Sequence, residues 1–128
     1  MTAPVWMNAV IRDFGHAAGV EDLTLNDRGV VVLKFETGVT LRLEYTSEEE
    51  LVMAVSVAGH GDTATLKRLL SVSHYRARYG FRLRTGRLAK SGSLVIAVRL
   101  ASRDVTLPHV NAAFSVLWRL AGEIGGVA

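Results

Sequence analysis

Four histidines are the side chains of this sequence best suited to hold a metal ion or to move a proton. They are spread along the chain, at His16, His60, His74 and His109. A zinc site needs three or four ligands that converge on one point, and no two of these histidines have metal-ligand spacing. The chain contains no cysteine, which excludes disulfides, thiolate chemistry and cysteine zinc sites. The sequence therefore predicts no metal centre.

The segment His60–Asp62 is the most enzyme-like in the chain, because a histidine near an aspartate is a possible general base. No nucleophile in a recognisable setting stands near it. Asp62 and Thr63 are also residue types that cap the start of a helix by accepting a backbone hydrogen bond. We therefore interpret this segment as a helix start and expect no catalysis.

An acidic run and a pair of glycines are the further candidates for binding an ion or a cofactor. The run Glu48–Glu50 lacks the alternating ligands and the glycine of a calcium loop. The glycines at positions 59 and 61 are not followed by the lysine of a phosphate-binding loop. No run of about 18 apolar residues is present, and the first six residues do not resemble a signal peptide. We expect no cofactor and no membrane insertion.

Three helices are predicted to frame the chain. The first covers residues 5–18, where Trp6, Val10, Phe14 and Ala18 recur every fourth residue and Gly19 ends the helix. The second follows Thr63 and carries Leu66, Leu69 and Leu70. The third opens at Thr106-Leu107-Pro108, because proline suits the first turn of a helix, and Gly122, Gly125 and Gly126 fray its end. Its apolar stripe is Val110, Phe114, Leu117, Ala121 and Ile124.

Alternating apolar residues predict the strands. They are Val30–Glu36, Thr40–Tyr45, Leu51–Val57, Phe81–Thr85 and Leu94–Leu100, with a short extra strand at Leu23 and Leu25. The element order is therefore α-β-β-β-α-β-β-α within one domain of 128 residues. Hairpin-linked strands imply an α+β fold, with a mainly antiparallel sheet and the helices packed on one of its faces.

Basic residues alternate with the inward apolar residues of these strands. A residue between two inward neighbours points to the opposite face of the sheet. The face away from the helices is therefore predicted to carry Lys34, Arg42, Arg82, Arg84 and Arg99. Such a face is either a solvated surface that discourages aggregation or a docking surface for an acidic or polar partner. The net charge of +3 is compatible with acidic protein or nucleic acid and selects neither.

The same outer face is also apolar in part. Its alternating positions include Val30, Val32, Val52, Ala54, Val95 and Ala97. A sheet with helices on one side is usually polar on the other. The leftover apolar positions indicate a second covering layer, either a partner subunit or a bound chain, unless a twisted sheet covers them itself.

Nucleic acid is a third possible partner of the basic face. Sheets that bind RNA stack its bases on aromatic side chains. Most aromatic residues here belong to predicted helices or core faces, as Trp6 and Trp118 do. The stacking platform is missing among the arginines, so the sequence argues against nucleic acid.

In its layout the chain resembles a class I type III secretion chaperone of the Tir-chaperone-like family. A helix with Leu66-Lys67-Arg68-Leu69-Leu70 follows a three-strand meander and precedes a pair of strands. The closest part is the strand Leu94–Leu100, then Val105-Thr106-Leu107-Pro108 and a helix with Phe114, Leu117 and Trp118. Two features depart from the family pattern. The chain is basic where such chaperones are usually acidic, and Ser73-His74-Tyr75 stands where the family often has an asparagine.

The resemblance implies a bacterial cytoplasmic homodimer that binds the N-terminal segment of a cognate effector and keeps it competent for export, without catalysis. It implies effector docking on the first helix and on the outward strand positions. The predicted partner-binding residues are Val30, Val32, Lys34, Arg42, Val52, Arg82, Arg84 and Arg99. The dimer interface would include Leu66 and Leu70 of the middle helix. The alternatives are a dimeric regulatory or adaptor protein of the same fold, a nucleic-acid-binding module and, last, an enzyme.

Overall fold

The computed structural model of the protein describes residues 2–57, 83–87 and 93–125. Helix α1 (Val5–Ala17) precedes three strands, β1 (Val30–Lys34), β2 (Val39–Tyr45) and β3 (Glu50–Val57). Strands β4 (Leu83–Arg87) and β5 (Leu94–Ala101) follow, then a 3-10 turn (Ser102–Asp104) and helix α2 (Leu107–Gly125). The predicted middle helix lies outside the described residues.

The five strands form one sheet in the order β1-β2-β3-β5-β4, and every neighbouring pair is antiparallel. The predicted α+β class and antiparallel sheet are confirmed. The predicted starts of β1 and β5 and the predicted ends of β2 and β3 are confirmed, and the other ends that fall on described residues differ by one or two residues. β1 stops at Lys34 because the chain turns through Gly38, whose N–H donates to the Phe35 carbonyl at 3.0 Å. β4 continues to Arg87, which pairs with Leu94 of β5.

Both helices lie on the same side of the sheet. Helix α2 packs on β3 and β5, and α1 packs against α2. The predicted inward residues of the central strands are buried to 1% exposure or less, namely Leu41, Leu43, Met53, Val55, Ile96 and Val98. In the described part of the chain, no helix combines the length and the hydropathy that a membrane span needs.

Helix α1 buries a stripe that shares Phe14 with the predicted one and otherwise lies beside it. Met7, Ile11 and Phe14 face the core, at 2% exposure or less, whereas Trp6 is 46% exposed. Spacings of four and three residues keep a stripe on one side of a helix, and repeated steps of four drift around it. The core therefore takes the stripe that begins one residue later than predicted.

The short strand predicted at Leu23 and Leu25 is wrong. Both leucines are buried in the core, but the segment pairs with a helix instead of a strand. The Leu25 N–H donates to Oδ1 of Asn8 on α1 at 2.9 Å. The Leu25 N–H is therefore bonded to a side chain of α1 and not to the backbone of a neighbouring strand.

Helix α2 ends at Gly125, one of the three glycines predicted at its fraying end, but it continues unbroken through Gly122. Leu120 and Ala121 are each 1% exposed, so this part of the helix is held by core packing. Packing outweighs the cost of a glycine inside a helix, which is only about 1 kcal/mol.

We expect Gly15→Ala to lower the free energy of unfolding by about 1–3 kcal/mol, the usual cost of overpacking. A Cβ at Gly15 would lie 2.6 Å from Leu23 Cβ and 2.9 Å from the Val20 carbonyl oxygen. Urea denaturation followed by circular dichroism measures the change. Gly86→Ala is the matched control, because a Cβ there has no neighbour within 4 Å among the described residues. Equal midpoints for the two variants would contradict the close approach at Gly15.

Candidate partner-binding site

Strand β1 forms an edge of the sheet, since its only pairing among the described residues is with β2. In an antiparallel pair, alternate residues point both backbone groups at the partner strand and the others point away. Hydrogen bonds link Tyr45 to Gly29 at 2.8 Å and Phe35 to Val39 at 2.9 Å. The odd-numbered residues of β1 therefore face β2. The N–H and C=O groups of Val30, Val32 and Lys34 face the open edge.

Asn26 occupies the start of this edge. The Asn26 N–H donates to the Val30 carbonyl at 2.9 Å. The Val30 N–H donates to the Asn26 Oδ1 at 3.1 Å. Both outward groups of Val30 are thus satisfied. The open part of the edge consists of the four backbone groups of Val32 and Lys34.

The side chains of β1 are apolar and incompletely covered. Val30, Val31 and Leu33 are half-buried, and Val32 is 43% exposed. Val31 and Leu33 point to the helix side, but they lack the full burial of the matching residues in β2 because α2 lies over β3 and β5. An uncovered apolar edge strand is a template for pairing with another chain. β1 therefore has the backbone groups and the side chains of a docking strand.

Four aromatic rings pack together on the helix side, from the buried Phe14 to the partly exposed Trp118. Phe114 of α2 lies 5.2 Å from Phe14, 6.2 Å from Phe35 and 5.7 Å from Trp118, measured between ring centroids. Phe35 directly follows β1 and lies 5.0 Å from Trp118 in an edge-to-face arrangement. Trp118 is 37% exposed. We call these four residues the aromatic cluster, and it carries the apolar surface of β1 onto helix α2.

The register places every described residue of the predicted partner-binding set on the outer face. One row across the sheet is Val32, Arg42, Ala54, Ala97 and Arg84, and the next is Val30, Glu44, Val52 and Arg99. Lys34 lies in the third row, paired with Thr40. Arg82 and the predicted dimer residues Leu66 and Leu70 lie outside the described residues, so their roles stay predictions.

Two ion pairs make this outer face less basic than the arginine pattern alone indicates. Arg42 lies 3.0 Å from Glu44, and Arg99 lies 3.2 Å from Glu50. All four side chains are at least a quarter exposed, so each pair contributes little to stability. The pairs nevertheless neutralise two cations. Among the described residues, Lys34 and Arg84 are the outer-face cations without a carboxylate partner.

At the end of the outer face next to the 3-10 turn, away from Lys34, lies a hollow of about 730 Å³ lined by residues of both charges. Its lining combines three arginines with three carboxylates, namely Arg84, Arg99, Arg103, Glu48, Glu50 and Asp104. A polyanion such as nucleic acid favours an uninterrupted basic surface. This end of the sheet therefore gives no support to a nucleic-acid interface.

The histidines and glutamates considered above for metal binding or proton transfer lie on separate elements in the described part of the chain. His16 is exposed on α1, and His109 Nδ1 lies 3.0 Å from Thr106 Oγ1 at the start of α2. Glu48–Glu50 form a turn closed by the Glu50 carbonyl, which accepts from the Thr46 N–H at 2.9 Å. No group of three or more potential metal ligands occurs among the described residues. His60, Asp62 and His74 lie outside them.

Comparison with known proteins identifies relatives of this fold. Residues 6–125 match the model of a family described as type III secretory system chaperone SycN. No curated protein matches the chain.

Solved structures resemble the chain over nearly its whole length. The crystal structure of the ExsC-ExsE complex has a TM-score of 0.82 at 20% identity, covering 99% of this chain and 96% of that one. The HopA1-SchA chaperone-effector complex has a TM-score of 0.76 at 15% identity, with coverages of 98% and 100%. The Yersinia pestis type III secretion chaperone SycH, in complex with a YscM2 fragment, has a TM-score of 0.68 at 18% identity, with coverages of 95% and 99%.

Proposed function

The chain belongs to the type III secretory system chaperone SycN family, and from this premise we propose that it binds the N-terminal segment of a secreted effector, called the client below. The bound client is kept partly extended and competent for export. The protein acts in the bacterial cytoplasm and catalyses no reaction. One of the similar structures is a chaperone-effector complex, which supports this class of partner.

The observation that carries the proposal is the open edge of β1. Within the described part of the chain, the four outward backbone groups of Val32 and Lys34 have no partner strand. An extended client segment that adds to this edge as a strand satisfies all four at once. Backbone pairing holds the segment in an extended conformation, as the proposed function requires.

Apolar side chains add to the backbone pairing. A strand beside β1 would place alternate side chains on the two faces of the sheet. On the outer face these side chains meet the exposed Val32. On the helix side they meet the half-buried Leu33 and Phe35. Burial of such surface contributes about 25 cal/mol per Å², so this site gains affinity from both faces.

We further propose that the protein is a homodimer, with Leu66 and Leu70 of the middle segment in the interface, as the family resemblance implies. Light scattering of the purified protein is expected to give twice the chain mass of 13.9 kDa. Leu66→Asp combined with Leu70→Asp is expected to shift this mass towards the monomer, because burying two carboxylates in an apolar interface is costly. A wild-type monomer at micromolar concentration would rule out the homodimer.

Co-expression with the secreted proteins encoded beside the gene tests the proposed function. We expect one or more of them to co-purify with the chaperone through the N-terminal segment alone. Each candidate with that segment deleted is the control and is expected not to co-purify. If the chaperone purifies free of every candidate, the proposed function is wrong.

A further inference from the structure

We infer that β1 selects a client segment in which an acidic residue is flanked by apolar residues, in the pattern apolar-acidic-apolar-apolar. The inference rests on the proposed function and adds the chemistry of the client. The pattern follows from four successive residues of β1 and its extension, Val32 to Phe35, because their side chains are the ones that an added strand would contact.

The acidic position is set by Lys34. Its side chain is exposed on the outer face, and its neighbour in β2 is the uncharged Thr40. The next cation on that face, Arg42, is already paired with Glu44 at 3.0 Å. Lys34 thus presents a positive charge at the open edge with no carboxylate partner among the described residues. A carboxylate on the added strand would be directly opposite it.

The apolar positions are set by the residues on either side of Lys34. Phe35 and Leu33 point to the helix side and are half-buried. Phe35 lies 5.0 Å from the partly exposed Trp118. The client residues opposite Phe35 and Leu33 would pack on this apolar surface, where a charge would lose its hydration without gaining a partner. Val32 is 43% exposed on the outer face and favours an apolar residue opposite it.

The length of the segment is limited by Asn26. This residue already satisfies both outward backbone groups of Val30, so backbone pairing stops after Val32. The recognised core is therefore short, about four residues. An antiparallel client strand reads apolar-acidic-apolar-apolar in chain order, and a parallel client strand reads the reverse.

Lys34→Glu tests the inference, using the client segment that co-purifies with the wild-type protein. Cross-strand opposite charges stabilise and like charges destabilise a pair, so we expect Lys34→Glu to weaken the measured affinity by about five- to tenfold. Changing the acidic residue of the client core to lysine is expected to weaken binding to the wild type equally. The two changes together are expected to restore most of the affinity.

Arg103→Glu is the matched control, because it makes the same change of charge at an exposed residue of the 3-10 turn. It is expected to leave the affinity within about twofold, as the salt-screened effect of a distant surface charge is small. Equal affinity of wild type and Lys34→Glu for the client, or an equal loss in Arg103→Glu, would overturn the inference while the chaperone function stands. If no client binds the wild type, the proposed function fails and the inference with it.

Discussion

Replacing Val32 with proline is expected to weaken client binding by roughly tenfold or more while the sheet stays folded. The Val32 N–H points away from β2, so proline at this position removes no hydrogen bond of the β1–β2 pair. Proline is tolerated on edge strands for this reason. It does remove one of the four open backbone groups, and its ring occupies the position where a client strand would pair. Isothermal titration calorimetry with the client segment measures the loss.

Val32→Ala separates the backbone effect from the side-chain effect. It keeps the N–H and loses only the two methyl groups, so its affinity is expected to lie between those of wild type and Val32→Pro. Circular dichroism and thermal melting check that all three proteins are folded. If folded Val32→Pro binds the client as tightly as Val32→Ala does, the client does not pair with β1.

Phe114→Ala is expected to lower the free energy of unfolding by about 2–4 kcal/mol. The Phe114 ring contacts Phe14 of α1, Phe35 after β1, and Trp118 of its own helix. Truncation therefore loses packing against three rings on three elements. Urea denaturation of the purified protein gives the free energy.

Phe114→Leu is the matched variant for this prediction. Leucine keeps most of the apolar volume and loses the aromatic edge contacts, so its cost is expected to be about 1 kcal/mol. The contrary result is an equal loss of unfolding free energy in Phe114→Ala and Phe114→Leu. It would show that the aromatic cluster does not hold the helices to the end of β1.

Much of the sheet could be predicted because strand periodicity is a local signal. Alternation alone placed Val32, Arg42, Val52 and Arg99 on the outer face, and the register agrees. Helix α1 was harder. Two adjacent stripes of α1 are both apolar, so the sequence of the helix alone does not show whether Trp6 or Met7 faces the core. Packing against the rest of the protein buries Met7 and leaves Trp6 partly exposed.

The site itself depends on long-range order and could be predicted only in part. The outward residues of β1 were identified, but its position at the sheet edge follows from strand order. The contact between Phe35 and Trp118 joins a turn to a distant helix, and no local pattern signals it. The Arg42–Glu44 pair, two residues apart on one face, was open to prediction from strand alternation. The Arg99–Glu50 pair required knowledge that β3 lies beside β5.

Backbone amide exchange at β1, followed by NMR with and without the client segment, tests the central claim most directly. In the free protein the amides of Val31 and Leu33 are hydrogen-bonded to β2, and those of Val32 and Lys34 face away from it, with no partner strand among the described residues. Addition of the client is predicted to slow exchange at Val32 and Lys34 by about tenfold or more, because each gains a hydrogen-bond acceptor. Unchanged exchange at both amides in a protein saturated with client would contradict strand addition at this edge.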